Sequence, residues 1–389
     1  MTPTALPQLR LTDRVAETRS GSERPWAAWN RTGRRYTIGV EEELMLLNPR
    51  DHALAQSSDR VLAKLSDELS ARVSLETHAA VLELATGIHP DVAAAADELA
   101  SLRAELTHEL ERLELRPASA GTYPLAGLDA IKVSRAARYG VIAETMRSLA
   151  TRHPTMALHV HIGVPSPDEA ICLLNAFREV VPVLLAVAAN SPFCDGHDTG
   201  FASARTAIFQ TFPRTGTPRR FDSYSEYIAA VDPLIDSGAL PDPTFLWWDV
   251  RLQPALGTVE IRVMDSQTTV AESAPLIALI QSFAHLVLER GWDDRGLSPE
   301  VLAENRFLAA RDGLDARLID PEERRLVPVR VLAETIARRC RPHAAALGCA
   351  DELNGLERLS TTNGADRQRA RARAGGLTHV VSTLAARFA

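Results

Sequence analysis

The chain has 389 residues, 46% hydrophobic and 24% charged, with 50 acidic against 43 basic side chains and a formal charge of −7. That length predicts two or three domains, or one large α+β unit with helical additions, and the composition excludes a disordered or fibrous chain. An acidic balance excludes nonspecific nucleic-acid binding, and Lys64 and Lys132, the only lysines, stand in no phosphate-binding G-x-x-x-x-G-K-[ST] loop.

No G-x-G-x-x-G dinucleotide fingerprint occurs, and Cys172, Cys194, Cys340 and Cys349 form no C-x-x-C pair. Structural zinc and thioredoxin-type chemistry therefore have no support, and a reducing cytoplasm is the expected compartment. The longest apolar run, residues 180–189, contains a proline and falls short of the roughly 18 residues a membrane span needs, so no membrane association is expected.

Residues 1–35 are rich in Pro, Ser, Thr and Arg and read as a disordered or loosely docked leader, with Trp26 and Trp29 able to rest on the body. Order is expected from Tyr36. Residues 37–47 alternate as a strand. Leu99, Leu102, Leu106, Leu110 and Leu113 recur at spacings of three and four, which predicts an amphipathic helix over 93–115. A strand follows at 155–164. The next helix should begin at Ser166, with Pro167 in its first position and Glu169 completing a capping box, and run towards Asn190 with a kink at Pro182. Further strands are read at 246–253 and 257–263. Beyond Thr268 the pattern is helical almost throughout: 271–289, 299–310, 330–346 and 367–388. The run Arg367, Arg369, Arg371, Arg373 reads as the solvated end of the last helix. The expected organisation is a leader, a mixed body over 36–290 and a helical extension over 291–389 packed on that body.

The chemistry lies in the alternation of four strands, because residues i and i+2 share a face. Glu41 and Glu43 project together, as do His159 and His161. Trp247, Asp249, Arg251 and Gln253 form a third such face, and Glu260 and Arg262 a fourth. The opposite faces are apolar except for Glu42, a charge on the core side that needs a partner. Alternation in one strand usually marks a wet face. Four faces rich in Glu, His, Asp and Arg and devoid of lysine suggest one antiparallel sheet, concave on its reactive side. Neighbouring carboxylates repel, so cations must neutralise them; the arginines can serve, and a hard divalent ion accounts better for several carboxylates with an imidazole.

The segments IGVEEELMLL, LETHAAVLELATGIHP, HVHIGV, NSPFCDGHDTGFASART and WWDVRLQPALGTVEIRVMDSQTTV occur in this order. Together they resemble the type 2 glutamate-cysteine ligase family, the ATP-dependent carboxylate-amine ligases of the glutamine synthetase superfamily. TTNGADRQRARA extends the likeness more weakly into the tail. The resemblance implies a glutamine synthetase-like α+β fold: a curved antiparallel β-sheet funnel with helices on its outer face and a helical C-terminal portion. It further implies ATP and Mg²⁺, with Mn²⁺ as a substitute. Glu41, His161 and Glu260 match ligands of the metal on the ATP phosphates, and Glu43, Glu76 and Glu83 those of the metal nearer the amino acid. A turn or bulge must separate Glu76 from Glu83 for both to face inward. His159 is read equally as a wall histidine. Arg205 and Arg262 match the cations on the transferring phosphate and the substrate carboxylate, Arg251 is a third candidate at the nucleotide, and Arg138 and Tyr139 are candidates for substrate binding. Trp247 suits either the funnel or the core.

The implied reaction is amide formation, of γ-glutamyl type, between small-molecule amino acid and amine substrates through an acyl phosphate. A phosphagen-type kinase and a catalytically silent nucleotide-binding protein are the alternatives. A metal-dependent amide hydrolase would leave Arg205 and Arg262 without a task. Open sheet edges and a helical tail suit a homodimer.

Overall fold

The computed structural model describes residues 24–126, 131–292, 296–320 and 322–389, so the first 23 residues of the expected leader lie outside it. Among the described residues, seven strands form one sheet: β1 (Ile38–Leu47), β2 (Val73–Leu75), β3 (Val81–Ala85), β4 (Arg116–Ala118), β5 (Ala157–Gly163), β6 (Val250–Gln253) and β7 (Thr258–Asp265). Their order is β6-β7-β5-β1-β3-β2, with β4 also pairing β1, and every pairing is antiparallel.

The 246–253 segment is not one strand. Trp247–Trp248 pairs in parallel with Thr215–Gly216, and the sheet strand β6 starts only at Val250. The break falls at Asp249, whose carboxylate is held by Arg306 Nε and Nη2 at 2.7 and 3.0 Å and by Thr217 Oγ1 at 3.0 Å. Asp249 is thereby removed from the reactive face on which alternation placed it. In β7 the register shifts between Ile261 and Met264, a bulge that contains Arg262.

Helices cover the apolar face. In α1 (Val92–Arg112) the Asp91 side chain accepts from the Ala94 amide at 2.9 Å, and Leu99, Leu102, Leu106 and Leu110 bury one stripe. Each of these leucines contributes about 2 kcal/mol of burial. Helix α2 (Pro167–Ala188) begins at Pro167 as expected, yet Ser166 makes no cap bond. The capping box fails because Glu169 is drawn instead to Arg35, whose Nε donates to it at 3.2 Å. The helix runs through Pro182 as one element. Helix α3 (Val270–Arg290) does carry a capping box, made by Thr269 and Glu272. Both α2 and α3 are long and apolar enough to cross a membrane, but 94% and 83% of their apolar windows are buried inside the molecule, as in core helices packed on several sides.

The C-terminal portion contains α4 (Pro299–Asp312), α5 (Val329–Leu347) and α6 (Gly364–Ala386). A hairpin of Arg317–Asp320 with Arg325–Pro328 interrupts the expected all-helical tail; two four-residue strands are too short to show a period. Helix α6 breaks at Gly375 and Gly376, the latter at φ +75°, where a side chain would be strained. Its basic run is only partly solvated: Arg367 pairs with Glu272 at 3.1 Å and Arg369 with Asp198 at 2.9 Å.

Order begins well before Tyr36. Trp29 Nε1 donates to the Val164 carbonyl at 2.7 Å and its ring meets Tyr224 edge-on, while Trp26 Nε1 donates to Asp232 at 3.3 Å. Two aromatic anchors outweigh the polar composition around them.

Candidate active site

Register decides which reactive side chains meet. Glu260 of β7 stands opposite Arg251 of β6 on one side and His161 of β5 on the other. One rung along, His159 faces Glu41 of β1; a further rung brings Glu43 to Glu83 of β3, with Ser74 of β2 beyond it. Glu76 follows β2 directly, and the turn at 77–80 returns the chain to β3, so both carboxylates point inward across a hairpin. These rungs floor a cavity of about 250 Å³, walled by Arg138, Tyr139, Arg205, Trp247, Arg251 and Arg262 among others.

Three groups of potential ligands form on this floor, each with its atoms within 4.8 Å of one another: Glu41, His161 and Glu260; Glu41, His159 and Glu83; Glu43, Glu76 and Glu83. The first and third are the two sets expected from sequence. The second brings in His159, whose Nδ1 lies 3.2 Å from Glu41 while its buried Nε2 has no hydrogen-bond partner. That is not a satisfied wall histidine.

Each ionisable group records its surroundings. Burial, then Glu76 beside it, pushes the Glu43 carboxyl up to about 8. Burial, then Glu41, Glu76 and Glu43, raises Glu83 far above the usual carboxylate range, and burial also raises Glu76. Burial would raise Glu260 too, but Arg251 and Arg262 overcome it and hold that carboxylate ionised. Glu41 follows the same pattern: His161 and His159 outweigh burial and lower it. His159 is pushed down to about 4 by burial and by Arg262. One end of the floor is thus saturated with guanidinium, and the other holds carboxylates for which burial outweighs the pull of Arg205, Arg262 and Arg138.

His161 is oriented for ligation. Its Nδ1 meets Thr258 Oγ1 at 3.0 Å, and its buried Nε2 has no hydrogen-bond partner and points towards Glu41 and Glu260, at 3.3 and 3.9 Å. A metal-binding imidazole is characteristically fixed through its other nitrogen in this way. Thr258 has no sequence signal; only the β5–β7 register reveals it.

The arginines divide by what they already hold. Arg251 donates from Nε and Nη2 to Glu260 at 2.9 and 3.1 Å, and from Nη1 to the carbonyls of Thr244 and Leu246. Gln253 adds a third donor to Glu260 at 2.7 Å. Arg262 also donates to Glu260, but its Nε is buried and unpartnered. Arg205 donates to the carbonyls of Val263 and Arg262, both at 3.2 Å, and likewise leaves a buried, unpartnered Nε. Arg138 is tied to Thr244 Oγ1 at 2.8 Å and lies over the Phe245 ring, and the Tyr139 hydroxyl donates to the Leu75 carbonyl. Trp247 is both buried, edge-on to Phe212, and part of the cavity wall.

An antiparallel sheet with a carboxylate and imidazole floor and arginine walls defines the glutamine synthetase-like ligase class of fold. Two solved structures share it. The glutamate–cysteine ligase of Francisella tularensis, in complex with AMP, superposes with a TM-score of 0.67 at 14% identity, over 93% of this chain and 89% of that one. A bifunctional glutathione synthetase from Pasteurella multocida gives 0.66 at 16% identity, over 90% of this chain and 52% of that one. Within this class, the chain belongs to glutamate-cysteine ligase family 2, whose model matches residues 37–383. A Rubrobacter xylanophilus relative with the provisional name glutamate–cysteine ligase 2-1 is 41% identical over 86% of this chain and 89% of its own. A Thermobifida fusca relative, provisionally glutamate–cysteine ligase 2, is 35% identical over 91% of both chains.

Proposed function

We propose that this chain is an ATP-dependent carboxylate–amine ligase that forms an amide of γ-glutamyl type through an acyl phosphate. The observation that carries this reading is the meeting of three carboxylate-bearing ligand groups and two incompletely used guanidiniums around one cavity. Its catalytic body spans 36–290, with 291–389 packed on it. The four cysteines are free, which suits a reducing cytoplasm.

The donor set fits Mg²⁺, and Mn²⁺ as a substitute: several oxygens, one fixed imidazole with an unpartnered Nε2, and carboxylates that repel one another without a cation. Glu41, His161 and Glu260 would hold the ion on the ATP phosphates, and Glu43, Glu76 and Glu83 the ion nearer the amino acid. Bound Mg²⁺ supplies neutralisation of phosphate charge.

A carboxylate oxygen is a poor leaving group towards an amine. In the proposed course a substrate carboxylate attacks the γ-phosphorus of ATP and ADP departs; the amine then attacks the acyl carbon and inorganic phosphate leaves. Phosphoryl transfer is mostly positioning and charge stabilisation. Arg205 and Arg262 present Nε to the transferring phosphate or the substrate carboxylate, a planar fork that lysine does not reproduce. Arg251 acts one step back, holding Glu260. Arg138, Tyr139 and Trp247 form the wall against the amino acid, and Phe209 and Phe212 help keep out the water that would hydrolyse an acyl phosphate.

The test is Mg²⁺-dependent ADP release in the presence of hydroxylamine and a matrix of amino acids. A ligase yields a hydroxamate with each ADP; a kinase leaves a stable phosphorylated product. Glu260→Gln should abolish ADP release with unchanged circular dichroism, and full activity in that variant would sink the metal assignment.

A further inference from the structure

A second cavity, of about 240 Å³, shares no lining residue with the catalytic one. It lies between the two halves of α6, which fold towards each other at Gly375 and Gly376, and is closed by Thr268 ahead of α3. Its polar walls carry three guanidiniums, Arg367, Arg371 and Arg387. Residues four apart share a helix face, so Arg367 and Arg371 turn to the cavity together, while Arg369 points away to Asp198. The helix period therefore splits the run of four into Arg367 and Arg371 at this cavity, Arg369 at Asp198, and Arg373 at neither.

The charge at the cavity is unbalanced. Glu272 serves both Arg367, at 3.1 Å, and Arg387, at 3.4 Å. Arg367 Nη2 is buried beside the Glu272 carboxylate. The Asp366 carboxylate accepts from the Asn363 amide at the start of α6. Arg371 makes no hydrogen bond or ion pair among the described residues. The remaining wall is largely apolar, with Ala370, Ala374, Val380 and Leu384, and Gln368 and Thr383 add polar groups to it.

We propose that this cavity binds a small organic carboxylate, its headgroup between Arg371 and Arg367 and its apolar body against Val380 and Leu384. Guanidinium takes carboxylate through two parallel hydrogen bonds, and the apolar wall selects a ligand with a hydrocarbon body over inorganic anions. The site is independent of the ligase reading, since it uses no residue of the catalytic cavity.

The probe is 4-(trifluoromethyl)benzoate, followed by fluorine NMR line broadening on the full chain with Mg²⁺ and ATP saturating the catalytic cavity. Saturable broadening is expected in the wild type. Arg371→Ala should weaken it about tenfold or more, the loss of a charge-assisted pair, while ADP formation is unchanged. Arg373→Ala, on the same helix but outside the cavity lining, should bind like the wild type. Broadening that survives Arg371→Ala, absence of binding in the wild type, or displacement by equimolar inorganic phosphate each overturns the proposal.

Discussion

Glu42 and Arg103 form a completely buried, two-pronged ion pair, with Nε to Oε2 at 2.7 Å and Nη2 to Oε1 at 2.5 Å, directly behind the strand face that carries Glu41 and Glu43. The other donors of Arg103 reach the carbonyls of Thr268, Phe388 and Gln267 at 2.8 to 2.9 Å. One guanidinium therefore joins β1, α1, the loop before α3 and the C-terminal end of the chain. A buried pair of this completeness specifies an arrangement more than it adds stability.

Removing one partner leaves a buried charge uncompensated. Arg103→Met should lower unfolding stability by about 3–5 kcal/mol. Changing Glu42→Leu as well should recover part of that loss, because no charge then remains. Urea unfolding at pH 7 measures both; an Arg103→Met protein within about 1 kcal/mol of the wild type contradicts the assignment.

Phe388 belongs to the same knot. Its ring is 2% exposed and lies 4.5 Å from the Arg103 guanidinium. Phe388→Ala should cost about 3 kcal/mol through lost packing. Deleting residues 388–389 should cost more, because the carbonyl that accepts from Arg103 goes too. Equal midpoints for substitution and deletion would show that the carbonyl adds nothing.

Thr258 acts through His161. Thr258→Val removes the partner of Nδ1 without changing side-chain volume much and should raise the Mg²⁺ concentration for half-maximal ADP formation about 10–100-fold. Thr258→Ser keeps the hydroxyl and should restore it. A lowered turnover at saturating Mg²⁺ with unchanged metal dependence would mean a general structural defect instead.

Carboxylates that repel in the metal-free protein should make it respond to metal. At 100 times its dissociation constant, Mg²⁺ should stabilise the fold by about 2.7 kcal/mol, reversed by a chelator. Glu83→Gln should raise stability in chelator, because Glu83 faces Glu41, Glu43 and Glu76, and should shrink the gain from Mg²⁺. Thermal melting with and without chelator decides; a Glu83→Gln variant that melts lower in chelator while keeping the full Mg²⁺ gain opposes the ligand role.

Much of the floor was legible because a strand repeats every two residues. That period alone placed Glu41 with Glu43, His159 with His161 and Glu260 with Arg262 on shared faces, and the spacing of the leucines located α1. Local pattern failed where a distant charge intervened: Arg306 drew Asp249 out of its strand, and Arg35 drew Glu169 out of its capping box. It also set the start of order too late, at Tyr36, although the docking of Trp26 and Trp29 was itself legible as two aromatics in a polar segment.

The sequence by itself determined the residue types of the site and the side of each strand on which they stand, because both follow from the covalent period of the backbone. It also showed that Glu42 needed a partner, since a carboxylate cannot lie unpaired in an apolar layer. Only the tertiary structure decided that the partner is Arg103, 61 positions away, that Thr258 orients His161, and that His159 joins the floor. Those are matters of cross-strand register and helix docking, which bring together residues whose separation along the chain carries no signal of their contact.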